Sequence, residues 1–323
     1  MTRIVNIMRS MLSAWNDFWF SRPRFENLGL FRVLLAGTLF LMNIGRQFDL
    51  ELYYTNKGIL SSAMSLDVIP EFYRPYFHWF FWPEAYVPLV HFSYLLFLLL
   101  LCLGIGGRLV NLLAWILHVG FLHRNFSVAF GADLIGGFFL LLMIGTESCR
   151  SFSVMSFFKR GRVQQTTGFK SRPLSDLFTQ VFYRLIQLQL CVIYAYTGYE
   201  KLKGTTWWEG TALWSVLANP QMVIFDLSFV RHLPVLVGLM TFGTLFFEMY
   251  FPVLVWGKRT RPLALTAGIV FHLGIGFLMA LWGFALVMIA PYFLFMSEAL
   301  VHKIVERMED LPVFKTLNLR RSY

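Results

Sequence analysis

Tyr86-Val-Pro-Leu-Val-His-Phe-Ser-Tyr-Leu-Leu-Phe-Leu-Leu-Leu-Leu-Cys-Leu-Gly104 contains no Asp, Glu, Lys or Arg. A bilayer core is crossed by about 20 consecutive apolar residues in helical form. This stretch has that length and reads as a membrane span. Working outward from it, comparable apolar runs occupy 28–48, 108–123, 132–147, 178–198, 233–256, 262–281 and 283–299. The chain is therefore expected to be an all-α integral membrane protein, a polytopic bundle of about eight transmembrane helices. The runs at 132–147 and 283–299 are short enough to be tilted or partly interfacial.

Composition agrees. The 323 residues are 57% hydrophobic and 14% charged, and the mean hydropathy is +0.60, which excludes an ordinary soluble domain. The excess of 28 Lys and Arg over 18 Asp and Glu is read as loop charge that orients helices, so no nucleic-acid partner is expected. Cys102, Cys149 and Cys191 have no CxxC spacing, and neither a disulfide framework nor a metal site is expected.

Before the first run, residues 1–27 place Ile4, Met8, Met11, Trp15 and Phe18 at helical spacing, opposite Arg3, Arg9, Ser13 and Asp17. That pattern predicts an N-terminal interfacial amphipathic helix rather than a removable signal. With the N-terminus inside, the inner segments carry Arg22, Arg24, Arg108, the cluster from Arg150 to Arg172, then Lys258, Arg259 and Arg261. The outer ones carry fewer: Arg46, Lys57, Arg74, Arg124, Lys201, Lys203 and Arg231. The positive-inside rule then places both termini in the cytoplasm. The expected organisation is a surface helix at 1–27, a membrane domain at 28–299 with a polar cytoplasmic linker at 159–176, and a basic tail at 300–323. The aromatic stretch from Phe72 to Trp82 reads as an interfacial segment folded against the bilayer or over the bundle.

Ionisable residues at bilayer depth each require a partner or a function. Counted from the ends of their runs, Arg32, Arg184 and Glu248 lie at matching inner depths. Glu248 is expected to pair with Arg184, Arg32 or both, as a structural ionic cluster. Arg184, Gln187, Cys191, Tyr194, Gly198 and Lys201 follow spacings of three and four, so a polar stripe climbs one face of the fifth run to the outer surface. Lys201 at its top either snorkels to headgroups or turns inward as a base. His272 is flanked by Gly268 and Gly276, small neighbours that admit another helix or a ligand, while composition alone reads it as a hydrogen-bonded core histidine. Asp133 either caps the fourth run or faces Lys201.

The segments Leu28-Gly-Leu-Phe-Arg32, Leu103-Gly-Ile-Gly-Gly-Arg108, Arg124-Asn125 with Gly131 and Asp133, Gly198-Tyr-Glu-Lys-Leu202, Trp208-Glu-Gly210, Phe271-His272 and Gly283 to Pro291 together resemble the horizontally transferred transmembrane (HTTM) domain family. Its members include vitamin K-dependent gamma-glutamyl carboxylases. The resemblance implies a multi-pass membrane enzyme using a lipid quinone, a vitamin K-type hydroquinone, in proton-abstraction or carboxylase-type chemistry. It implies Lys201 as base, His272 positioning the quinone, and Asn125, Asp133, Tyr194 and Trp208 around it, with Trp207 and the stretch 72–82 closing a dry pocket. The family's asparagine-histidine pair is met here by Asn125 and Phe126, with the histidine replaced. The family's large lumenal portion has no counterpart after residue 299, so a small peptide or lipid-embedded substrate and a bacterial inner membrane are expected.

The rival expectation is a non-catalytic membrane protein assisting maturation, export or immunity for a secreted peptide. Transport ranks last, because Pro220, Pro234, Pro252 and Pro291 sit in the second half with no matching set inside the first four runs, where Pro88 stands alone at the start of its run.

Overall fold

A computed structural model describes residues 2–154 and 173–309. Among them every regular element is helical and there is no strand. Among the described residues five helical stretches are long and apolar enough to cross a bilayer: Phe25–Tyr54, Glu84–Cys102, Pro173–Leu202, Pro234–Leu254 and Arg261–Met279. The described residues are thus those of an all-helical membrane protein. Gly131–Ile144 and Trp282–Phe295 are apolar but shorter. Gly107–Arg124 carries Arg108, Asn111, His118, His123 and Arg124, which lower its hydropathy.

The longer helices are α1 (Thr2–Phe20), α2 (Phe25–Arg46), α3 (Val87–Cys102), α4 (Gly107–Arg124), α5 (Gly131–Ile144), α6 (Pro173–Leu202), α7 (Pro234–Leu254), α8 (Arg261–Met279), α9 (Trp282–Ile289) and α10 (Glu298–Glu309). Several begin or end at residues whose chemistry suits the position. Pro173 and Pro234 open α6 and α7, since a proline's missing N–H is no loss in a first turn. Glu26 lies in the first turn of α2 and Arg46 in its last, complementing the helix dipole. Between α3 and α4, Gly104, Gly106 and Gly107 all take positive φ, +72°, +82° and +58°. That backbone is strained for any residue with a Cβ, so the glycines make the tight reversal possible.

The chain divides into two compact units, one of residues 1–186 and 296–323, the other of residues 187–295. In the first, α2 packs along α3, α3 on α4, α4 on α5, and α5 returns to α2; α10 also packs on α2. Leu28, Phe31, Leu35, Leu39, Leu98, Phe139 and Leu140 form its core. In the second, α7 packs on α8 and α8 on α9, and the short helices Thr205–Trp208 and Ala212–Leu217 lean on α7. The run expected at 283–299 is helical only through Ile289; a tighter 3-10 turn, Ala290–Phe295, follows, because Pro291 cannot continue the α-helical ladder.

The aromatic segment is two-sided. Phe77 stacks on His123 with ring centroids 4.1 Å apart, and Phe80 and Trp82 close over Gly120 of α4. Phe72, Tyr73, Tyr76 and Trp79 remain exposed. Of the linker expected at 159–176, Pro173–Asp176 are the first turn of α6 and the rest lies outside the described residues; so does most of the tail, whose beginning belongs to α10.

Candidate functional site

In the second unit, Lys201 ends the stripe on α6 and meets Glu248 of α7. Its Nζ lies 3.0 Å from Oε1 and 2.7 Å from Oε2, the hydrogen-bond direction favouring Oε1. The Lys201 side chain is 25% exposed and that of Glu248 7%. The ammonium also sits over the Trp207 ring, 5.4 Å from its centroid, a favourable placement for a cation. Gly198 allows this approach: a Cβ there would stand 2.8 Å from the Met249 sulfur and 3.3 Å from Glu248 Cβ. The pair therefore combines a buried carboxylate with an ammonium that solvent or a ligand can reach.

Deeper on the same face of α6, the Tyr194 hydroxyl lies 2.6 Å from His272 Nε2 and 2.5 Å from the Tyr292 hydroxyl. All three side chains are buried. His272 Nδ1 has no partner among the described residues. A bare lone pair is easier to bury than a bare N–H, so the proton is assigned to Nε2. His272 then donates to Tyr194, and Tyr194 to Tyr292. Phe247 and Phe251 pack against the Tyr194 ring at 5.3 Å and 4.3 Å, which keeps water from this chain of hydroxyls.

The small neighbours of His272 do admit close approach, but the protein's own rings make it. A Cβ on Gly268 would lie 2.2 Å from the Tyr292 hydroxyl oxygen, and one on Gly276 2.9 Å from Trp282. Gly268→Ala is accordingly expected to overpack the site, at a cost of about 1–3 kcal/mol, and to break the Tyr194–Tyr292 bond. A lowered melting temperature in detergent checks it; a parental melting temperature would mean Tyr292 can withdraw freely.

The ionic cluster expected from Arg32, Arg184 and Glu248 is corrected, since each has other partners. Glu248 pairs with Lys201. Along the interface Gln187 donates to Leu294 O, Tyr194 packs on Phe251, Gly198 meets Met249 and Lys201 meets Glu248. Helix α7 is thus displaced along α6, and Glu248 lies level with the end of α6. Depth counted from helix ends assumes equal slabs, which a helix of 30 residues like α6 does not obey.

In the first unit, Arg32 is fully buried and donates to main-chain carbonyls: Ser148 O at 2.5 Å, Ser151 O at 3.1 Å and Phe152 O at 2.5 Å. Arg184 donates to Phe18 O at 2.8 Å and lies over the Phe18 ring, 4.6 Å from its centroid.

Asp133 and Asn125 also belong to the first unit. Asp133 caps α5, accepting from the Phe130 N–H at 3.1 Å, as one of its two expected roles required. Its carboxylate is otherwise bound by Arg46, through Nη1 at 2.9 Å and Nη2 at 2.8 Å. A ring of hydrogen bonds closes around this pair. Arg46 donates to Asn43 Oδ1 at 3.1 Å, and Asn43 Nδ2 to the Tyr94 hydroxyl at 3.3 Å. The Tyr94 hydroxyl lies 2.6 Å from His118 Nδ1, and His118 Nε2 lies 2.8 Å from Asp133 O. Because a carbonyl only accepts, Nε2 carries the proton and Tyr94 donates to Nδ1. A small space of about 10 Å³ beside the ring has room for one water.

Asn125 is spent on the backbone: Nδ2 donates to Tyr53 O at 2.6 Å and Oδ1 accepts from Ser127. Trp208 is exposed and donates to Leu202 O at 2.7 Å. Tyr194 and His272 are thus brought together, Lys201 is joined by Glu248 and Trp207, and Asn125, Asp133 and Trp208 are engaged in structural bonds. Tyr292, Arg46, Tyr94 and His118 were missed as partners. Only Arg46 and Asp133 left a sequence signal, opposite charges at the adjoining ends of two helices. No family model matches this chain, and no curated protein or solved structure matches it either.

Proposed function

We propose that the chain is a multi-pass membrane enzyme of the vitamin K-dependent carboxylase type, in which Lys201 and Glu248 together take the proton of a membrane-borne hydroquinone. The observation that carries this reading is the pair itself, a reachable ammonium over an indole and backed by a buried carboxylate. Asn125 and Asp133 belong to the first unit and Tyr194 and His272 to the second, and each side chain is engaged within its own unit. Tyr292 and Trp282 fill the glycine faces beside His272, and Asn125 and Asp133 are bonded within the protein. The hydroquinone is instead a substrate that meets Lys201 from the side of Trp207.

An ion-paired ammonium has no lone pair to offer, so Glu248 is part of the base. One N–H bond of Lys201 breaks as an O–H bond forms on Glu248. The hydroquinone O–H then gives its proton to the freed Nζ lone pair. The products are a phenolate beside the restored ammonium and a protonated Glu248; no electron leaves the system. From such a phenolate, carboxylase-type chemistry on a small or membrane-embedded substrate begins.

Eight spans with α1 in the membrane surface and both termini cytoplasmic, in a bacterial inner membrane, complete the proposal. The loop charges support this orientation, and the exposed apolar face of α1 supports its seat. Lys201→Ala is expected to lower hydroquinone consumption roughly 10²–10⁴-fold, the span of a lost general base. Lys201→Arg should fail nearly as badly, because a guanidinium does not release its proton. Either variant working at the parental rate would overturn the assignment.

A second reading rests on the internally satisfied side chains of Asn125, Asp133 and Tyr194. In it the protein is a non-catalytic partner in maturation, export or immunity for a secreted peptide, and the Lys201–Glu248 pair is a clamp. Quinone co-purifying with the protein, detected by mass spectrometry of lipid extracts, separates the two readings.

A further inference from the structure

Helix α1 is bound to α6 within the first unit at its end, where Phe18 O accepts from Gln180 and Arg184. Beyond that end it exposes Met8, Met11, Leu12 and Trp15 on one face, with Asn6, Arg9, Ser13 and Asp17 on the other. Such a face is stable only against lipid or protein. Directly after it the chain turns at Pro23 into α2, and a cavity of about 480 Å³ opens between that turn and α10. Arg22, Arg24, Glu26, Glu298 and His302 line it. Arg24 is already held, donating to Met296 O at 3.0 Å with its Nε 3.7 Å from Glu298. The cavity therefore carries both signs of charge, beside an apolar helix on the membrane surface.

We propose that this cavity binds the headgroup of a phosphatidylethanolamine-type phospholipid, the phosphate at Arg22 and the primary ammonium at Glu26, with the acyl chains passing beneath α1. The charge pattern selects the headgroup. With Glu298 paired to Arg24, a purely anionic headgroup would leave Glu26 without a cation, and a choline headgroup has no N–H to donate to it. The cavity volume is that of an ordinary small-molecule site. The inference rests on the proposed seat of α1 in the membrane surface and is independent of proton chemistry at Lys201.

The test is native mass spectrometry of the full chain from nanodiscs of equal phosphatidylethanolamine, phosphatidylcholine and phosphatidylglycerol. The ethanolamine lipid should be retained roughly tenfold over the choline lipid, the ratio that one charge-assisted hydrogen bond supplies. Combined Arg22→Gln and Glu26→Gln should bring that ratio to parity, while Lys201→Ala leaves it unchanged. Parity in the parent protein, or preference for the glycerol lipid, overturns the proposal. Quenching of fluorescence by brominated lipid, compared between parent and Trp15→Phe, reports the seat of α1 separately. Trp15 quenched without headgroup preference sinks the site alone; Trp15 unquenched sinks the seat and the site with it.

Discussion

Asp133→Asn is expected to destabilise the first unit by about 3–5 kcal/mol, the usual cost of stranding one member of a buried ion pair. The Asp133 side chain is 2% exposed and that of Arg46 15%, so neither charge can recover its loss in water. The carboxylate also accepts from the Phe130 N–H, and its guanidinium partner holds Asn43, which in turn donates to Tyr94. Removing the charge loosens a helix cap and a hydrogen-bonded ring together, so the loss should exceed that of a surface pair. Arg46→Met with Asp133→Leu should cost less than Asp133→Asn alone, because the double variant leaves no bare charge. Melting of the three proteins in the same detergent checks the order. A double variant weaker than the single one would show that the ring contributes more than the pair.

The second large effect is expected at Arg32. Arg32→Met removes the donors of the Ser148, Ser151 and Phe152 carbonyls, and each buried acceptor left bare costs about 1–3 kcal/mol. Arg32→Lys should rescue only part of this, since an ammonium cannot spread its donors as a planar fork does. The loss should appear first in the segment that Arg32 holds. Phe152 adopts a positive φ of 51° there, a conformation costly for a non-glycine residue unless the surroundings fix it. Hydrogen exchange of residues 146–154 should therefore accelerate in Arg32→Met more than in the core of α3. Equal acceleration in both would mean that Arg32 supports the whole unit rather than this loop.

Helix positions were legible because apolar runs, prolines and the three turn glycines are written in the sequence. Partners were less so, for three physical reasons. A guanidinium satisfied by carbonyls, as in Arg32, leaves no second charged residue to find. The depth of Glu248 was misplaced because α7 is displaced along α6, and stagger depends on packing rather than on helix length. Tyr292 lies in an apolar run and reads as core, yet its hydroxyl reaches Tyr194 through the space left by Gly268. The stripe from Gln187 to Lys201 was readable as one face of a helix, and Tyr194, Gly198 and Lys201 do share an interface with α7.

The most direct test of the proposed proton transfer is the ultraviolet spectrum of a lipid hydroquinone mixed anaerobically with the purified protein in liposomes. Without oxygen the only permitted change is loss of the O–H proton, which shifts the absorption of the ring to that of its phenolate. The parent protein should raise the phenolate fraction in proportion to protein added. Lys201→Ala and Glu248→Gln should each abolish the rise, since one accepts the proton and the other makes room for it. No phenolate with the parent protein, or an equal rise with either variant, would contradict the account.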